Sequence, residues 1–180
     1  MRKKARNGKF LKERKIMLRF IKAKSDDEKG IQKLSAMAAE IIKDYYDPII
    51  GPDQNDYMIE MFQSPEGLKR QIDANHSVYT IERDGRGIGF LAFYPKETAM
   101  YIDKFYLHKD ERKKGLGKEV LEFVKENARA ENFHALELNV NKHNPSIAAY
   151  EKMGFKRIRA EVNDIGSGFV MDDYVYRLEF

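Results

Sequence analysis

Apolar and polar positions along the chain alternate between two periods, and the changes of period mark the elements. Met17-Leu18-Arg19-Phe20-Ile21, within Ile16 to Ala23, reads as a first strand of mixed apolar and basic residues. Ser25-Asp26-Asp27-Glu28 then offers a helix cap and an acidic first turn, and Ile31, Leu34, Ala38, Ile41 and Ile42 continue at helical spacing. Pro48, in Tyr45-Tyr46-Asp47-Pro48, is expected to end that helix, and Gly51-Pro52 prolongs the break. Tyr57, Met58, Met61 and Phe62 share one helical face, and Ser64-Pro65-Glu66 restarts a helix through Leu68 and Ile72. Such a segment commonly walls a cleft. Tyr45, Tyr46 and Tyr57 are candidate lining residues, with ordinary semi-buried packing as the equal alternative.

Period 2 then takes over. Val78 to Ile81 and Gly87 to Tyr94 read as strands joined through Arg83-Asp84-Gly85-Arg86, and Ala99 to Leu107 adds a third antiparallel strand. From Ile102 to Glu122 the chain passes from strand through a charged turn and Arg112-Lys113-Lys114-Gly115-Leu116-Gly117-Lys118 into a helix with Val120, Leu121, Phe123 and Val124 on its period. Leu136 to Val140 alternates as a strand. Asn144-Pro145-Ser146 opens a short helix carrying Ile147, Ala148, Tyr150 and Met153, which Gly154 stops. Phe155 to Val162 and Phe169 to Leu178 are the final strands, joined across Ile165-Gly166-Ser167-Gly168. The pattern predicts a mixed α+β fold of about seven strands, mostly antiparallel, flanked by about four helices.

Composition narrows this. A chain of 180 residues suits one domain, here 16–180, preceded by a basic extension over 1–15 whose composition suits disorder. The absence of cysteine excludes disulfides and thiolate nucleophiles. Without an apolar run of about 20 residues no membrane is expected as partner, and without the apolar segment of a signal peptide the expected location is cytoplasmic. Four scattered histidines, His108 and His143 among them, suggest no metal site. The formal charge of +4 divides unevenly: residues 1–24 hold eleven Lys and Arg against one acid, so this segment carries +10 and the rest −6. An acidic body argues against nucleic acid as partner and is compatible with a cationic substrate. A homodimer stays open.

Strand, basic glycine loop and helix together form a seat for phosphate, because the free N–H groups of the first helical turn and the helix dipole face an anion. A Walker loop is excluded: Gly117-Lys118 is followed by Glu119, and no glycine lies five residues before Gly117. The loop Arg112-Lys113-Lys114-Gly115-Leu116-Gly117 and the later segment Asn144 to Phe155, with its Asn, Tyr and Gly-Phe pair, resemble the two motifs of the GNAT superfamily of acetyl-CoA-dependent N-acetyltransferases. The order of elements from Met17 to Phe180 resembles that family as well. In one respect the chain departs from it: Asn144 stands six residues before Tyr150 where the family often has seven, which leaves Asn139 and Asn141 as sharers of its role.

The resemblance implies a GNAT fold with a splay between the fourth and fifth strands that holds acetyl-CoA. It implies that the backbone of Phe105, Tyr106 and Leu107 pairs with the pantetheine arm and that a strand amide near Leu107 polarises the thioester. The amides from Lys113 to Lys118 would take the pyrophosphate, with Arg112, Lys113, Lys114 and Lys118 adding charge and Gly115, Leu116 and Gly117 letting the backbone approach. Asn144 would contact the cofactor. Tyr150 would be the general acid, a phenol of pKa about 10 serving a thiolate whose thiol has pKa about 8.5. Asp103 is the candidate base for an ammonium acceptor, with Glu137 second. The expected function is acetyl transfer to a primary amine, whether small amine, polyamine, antibiotic or protein amine, by direct attack and without a metal. The alternative is a non-catalytic acyl-CoA-sensing or RNA-associated module of the same fold.

Overall fold

The computed structural model describes residues 18–180. The expected extension over 1–15, and Ile16 and Met17 of the expected first strand, lie outside the described residues. What remains of that strand is β1 (Arg19–Lys22), followed by the helices α1 (Glu28–Ile50), α2 (Pro52–Gln63) and α3 (Pro65–Asp73). Then come β2 (Ser77–Arg83), β3 (Arg86–Lys96) and β4 (Ala99–Leu107), a 3-10 turn at Lys109–Glu111, α4 (Leu116–Ala130), β5 (Ala135–Asn141), α5 (Ile147–Lys152), β6 (Lys156–Gly166) and β7 (Phe169–Glu179). Five α-helices are described, among them the two short helices expected after α1, each opened by a proline. Among them none is long and apolar enough to cross a membrane.

All seven strands form one sheet in the order β1-β2-β3-β4-β5-β7-β6. Every pairing is antiparallel except β4 with β5, which α4 connects as a crossover. One face is covered by α4, whose Leu116, Val120, Leu121, Val124 and Ala128 pack with Met100, Ile102, Leu136, Leu138 and Val140. The other is covered over β2 and β3 by α1 and α3, through Ile31, Leu34, Ala38, Ile41, Ile42 and Leu68 on Val78, Phe90 and Ala92. Each large apolar side chain buried in this way contributes about 1.5–3 kcal/mol, so a charge at Val124 or Leu68 would unfold the domain.

Pro48 does not end α1. The helix runs on to Ile50 because tertiary bonds hold the turn that proline weakens: Asn55, fully buried, donates its amide to the Ile42 carbonyl at 3.2 Å and to the Asp47 carboxylate at 2.6 Å. Gly51 N–H closes the helix on the Asp47 carbonyl at 3.1 Å, and Pro52 opens α2 rather than prolonging a break. Upstream of that turn, α1 sets Tyr46 against Tyr106 of β4, the central strand of the sheet.

Candidate active site

The parallel ladder between β4 and β5 is short. It joins Met100, Ile102 and the residue between them to Leu136 through Leu138, and past that point the strands separate. The β5-facing edge of β4 from Asp103 to Leu107 therefore has no ladder partner. Beyond Leu107 the chain makes the 3-10 turn and enters α4 through two left-handed residues, Lys113 (φ 62°) and Gly115 (φ 79°). Gly115 occupies the cap position and no side chain caps the helix, so the amides of its first turn are left to an external acceptor. Two left-handed residues so close together turn successive N–H groups into one concavity, an anion nest.

The glycines differ in cause. Gly115 is required by its dihedral angle. A Cβ on Gly117 would meet Met153 Sδ at 3.5 Å and Phe105 Cε1 at 4.0 Å, ordinary contacts, so internal packing does not demand glycine there. What a side chain at 117 would fill is the space beside Phe105 and Met153, where a ligand following the β4 edge would reach the helix.

The basic residues of the loop have separate fates. Arg112 donates Nε–H to the Leu107 carbonyl at 2.8 Å, lies 3.7 Å from the Asp44 carboxylate and stacks its guanidinium over Tyr45 at 4.7 Å. Lys114 pairs at 3.4 Å with Glu111, which is buried and also held by Arg83 at 2.8 Å. Lys113 and Lys118 are exposed and take part in no ion pair among the described residues. A cavity of about 510 Å³ shares Arg112 with the loop, but its other walls are Glu40, Ile41, Asp44, Arg86, His108, Lys109 and Asp110, and none of the tyrosines of the splay.

Within the splay the structure gathers Tyr45, Tyr46, Tyr106, Asn144 and Tyr150. Asn144, 5% exposed, is a hub: its Oδ1 accepts from Tyr45 OH at 2.6 Å and from Ser146 N–H and Oγ–H at 2.8 and 2.7 Å, while Nδ2 donates to Tyr46 OH at 3.1 Å. Tyr106 donates to Tyr46 at 3.3 Å. Asn141, by contrast, accepts from His143 N–H at 2.9 Å, and Asn139 faces β6 and β7. Tyr150 lies on α5 with its ring edge-on to Phe155 at 5.7 Å, and its hydroxyl has no hydrogen-bond partner among the described residues. Burial, and then Tyr46 and Tyr45, push the Tyr150 phenol up from its ordinary pKa, and burial lifts Tyr46 to about 12. Both stay protonated at neutral pH.

Asp103 sits elsewhere than its spacing suggests. Ile102 pairs with Phe93 and Lys104 with Ala92, so Asp103 is the extra residue of a β-bulge. The bulge switches faces: Phe105 and Leu107 turn to the core on the α4 side, whereas the Asp103 carboxylate meets Lys104 Nζ and lies 3.9 Å from His76 Nδ1. The parity that would group Asp103 with Phe105 and Leu107 is broken. Lys104, buried, is held in turn by Gln71 Oε1 at 2.6 Å, and Glu137 is paired with Arg177 at 2.7 Å.

Opposite the α4 face, β5, β7 and β6 present a polar surface partly roofed by α2, which is tied down by Gln54 to the Val170 carbonyl and Tyr57 OH to the Ile165 carbonyl, both at 2.7 Å. Asp173 of β7 lies here, 2% exposed, with Asn139 Nδ2 at 3.5 Å. Burial raises its pKa to about 6, with Glu161 and Asp172 adding to the rise and Asn139 and Lys142 opposing it. No motif points to Asp173. The available signal was its parity in β7, opposite to that of Tyr174 and Tyr176, which places a carboxylate on the face away from α4.

Similar proteins share this architecture. PaiA N-acetyltransferase from Thermoplasma acidophilum, solved in complex with coenzyme A, superposes with a TM-score of 0.72 at 19% identity, over 92% of this chain and 100% of that one. Ribosomal-protein-alanine N-acetyltransferase from Brucella melitensis gives 0.61 at 18% identity, again over 92% and 100%. A GCN5-related N-acetyltransferase from Rhodopseudomonas palustris gives 0.67 at 14% identity, over 92% and 96%. No curated protein sequence matches. The model of the acetyltransferase (GNAT) family matches residues 36–155, two thirds of the chain, from the buried half of α1 through the glycine loop and the splay to Phe155, and the chain belongs to that family.

Proposed function

We propose that this protein is an N-acetyltransferase that moves the acetyl group of acetyl-CoA to a primary amine. The observation that carries this reading is the uncapped start of α4 behind Lys113 and Gly115, set at the end of a strand edge left unpaired by the splay. An anion at the helix start and an extended amide-bearing chain along the edge are the two halves of one ligand, a pantetheine pyrophosphate. Acetyl-CoA supplies an activated thioester carbonyl.

The chain's own residues supply the rest. The amides from Lys113 to Lys118 bind the pyrophosphate, and the exposed Lys113 and Lys118 add charge. Arg112 serves differently: it fixes the Leu107 carbonyl and Tyr45, and so shapes the mouth of the splay. The backbone of Phe105 to Leu107 orients the pantetheine arm, and Asn144 holds Tyr45 and Tyr46 as one wall. Tyr150, protonated and without an internal acceptor, gives its proton to the departing sulfur. Asp103 keeps Lys104 in place at the bulge.

Coenzyme A thiol release from acetyl-CoA tests the reading, measured with a panel of primary amines and with peptides bearing a free α-amine or lysine. Amine-dependent release is expected. Binding of acetyl-CoA with no release above background for any acceptor would favour the sensing module instead.

A further inference from the structure

We infer that Asp173, with Asn139 beside it, is the seat of the acceptor's ammonium group and the carboxylate that takes its proton before acetyl transfer. This rests on the acetyl-transfer reading and names the residue that serves the acceptor side. Asp173 lies in β7 opposite Asn141 of β5 and Glu161 of β6, on the face away from α4, at the level where β5 has already parted from β4.

Two imbalances meet at this point, the first of charge. Glu137 is paired with Arg177 at 2.7 Å, Glu161 with Arg159 at 3.2 Å, Asp172 with Lys142 and Asp103 with Lys104. Asp173 has no such partner among the described residues, although at 2% exposed it is the most deeply buried of these carboxylates. An isolated buried carboxylate is costly unless a cation comes to it.

The second imbalance is of hydrogen bonds. Asn139 donates Nδ2 to Glu161 at 2.6 Å and to Asp173 at 3.5 Å, and these two carboxylates fix which way the amide points. Its Oδ1 is thereby turned to a buried position without a donor. A carboxylate offers about four acceptor sites, of which a single bond of 3.5 Å uses one weakly. Asp173 and Asn139 thus keep acceptor positions that no donor fills among the described residues. A primary ammonium, with three donors and no acceptor, supplies what both Asp173 and Asn139 lack.

The groups facing Asp173 suit a proton transfer. Glu161 of β6 and Asp172 of β7 are acidic, Lys142 beyond β5 is basic, and Tyr46 of α1 and Tyr101 of β4 are close enough for its charge to oppose their ionisation. Burial first, and then Glu161 and Asp172 against Asn139 and Lys142, raise Asp173 to about pKa 6, a stronger base than an ordinary carboxylate yet ionised at neutral pH. Leaving water lowers the pKa of an ammonium seated beside Asp173, against the opposing pull of the carboxylate charge, and so narrows the gap between the two groups. The steps balance as follows. One ammonium proton passes to Asp173, and the freed nitrogen lone pair attacks the thioester carbon. The C–N bond forms, the C–S bond breaks, and the sulfur takes the Tyr150 proton. The second amine proton restores Tyr150, and Asp173 releases its proton to solvent.

Asp173→Asn tests this, because it keeps the shape and removes the charge. With the best amine of a panel containing n-butylamine, phenethylamine and 1,4-diaminobutane, kcat/KM for the amine is expected to fall at least about 100-fold, with acetyl-CoA affinity within about twofold. The acidic limb of the wild-type kcat/KM profile, near pH 6, should disappear. Retention of rate and limb in the variant would overturn the inference. Binding of n-butylamine followed by NMR separates the seat from the chemistry: it should weaken at least about tenfold in the variant whether or not any amine is acetylated, and unchanged binding rejects the seat. Thermal unfolding guards against a structural effect. Relief of an unpaired buried charge should raise Tm, and a lower Tm would mark Asp173 as structural and also overturn the inference.

Discussion

The two sides of the splay are built of different material. On the side proposed for acetyl-CoA the groups offered to a ligand are backbone: the amides behind Lys113 and Gly115, and the strand edge from Phe105 to Leu107. On the side proposed for the acceptor they are side chains drawn from separate elements, Tyr46 from α1, Asn139 from β5, Glu161 from β6 and Asp173 from β7. A backbone site constrains few residue types but constrains their spacing, so it is carried by a short run of glycines. A side-chain site constrains residue types scattered over more than a hundred positions, and any member of the fold can change them.

Tyr150→Phe should show the largest effect, because in the proposed mechanism Tyr150 acts only in the chemical step. General acid catalysis contributes about 10²–10⁴-fold, so kcat is expected to fall by that factor while acetyl-CoA affinity stays unchanged. Steady-state kinetics with a calorimetric acetyl-CoA titration checks this. Wild-type turnover in the variant would remove Tyr150 as the acid.

Gly117→Val strikes the backbone side alone. Because a Cβ at 117 meets only ordinary contacts in the chain and valine forms helix better than glycine, the fold should tolerate the change within about 0.5 kcal/mol. Acetyl-CoA affinity should nevertheless fall about 100-fold, since the added methyl groups occupy the cradle beside Phe105 and Met153. A variant that binds acetyl-CoA normally would show that the cradle does not receive the ligand.

Much of the backbone side could be read in advance, and the reasons are physical. The third antiparallel strand was expected over Ala99 to Leu107 and is found as Ala99–Leu107, because turns at both ends bound an apolar run. The uncapped helix start announces itself through Gly115, where few other residues adopt φ 79°. The acceptor side was less legible. Its two surprises in position, Pro48 inside α1 and the bulge at Asp103, depend on partners remote in sequence: Asn55 for the first, the β3 register for the second. Asp173 is visible as a residue but not as an unpaired one, since that depends on where Arg159, Arg177 and Lys142 spend their charges.

Asp173 also gives the acceptor side a signature in stability. Its folded pKa of about 6 lies above the ordinary aspartate value of 3.8, so between these values the folded protein binds more protons than the unfolded chain. Stability therefore falls as pH rises from about 4 to 6, by roughly 2–3 kcal/mol if Asp173 acts alone. Urea unfolding across that range, compared with Asp173→Asn, isolates the contribution, and the variant should lack this part of the slope. Equal slopes would mean that the carboxylate is not destabilised by its burial.

Arg112→Ala is expected to have the smallest effect, and it sharpens the contrast because this residue belongs to the signature of the backbone side. Were its charge used mainly on pyrophosphate, acetyl-CoA affinity would drop by a factor near that of Gly117→Val. The guanidinium is instead occupied by the Leu107 carbonyl, Asp44 and the Tyr45 ring. One hydrogen bond to a charged group and a partly exposed cation–π contact are worth together about 2 kcal/mol, which should appear as lost stability in urea. Acetyl-CoA affinity should fall less than about tenfold, through a looser Tyr45 and mouth of the splay. The decisive measurement is the ratio of the two losses, and an affinity loss that exceeds the stability loss would return Arg112 to the phosphate.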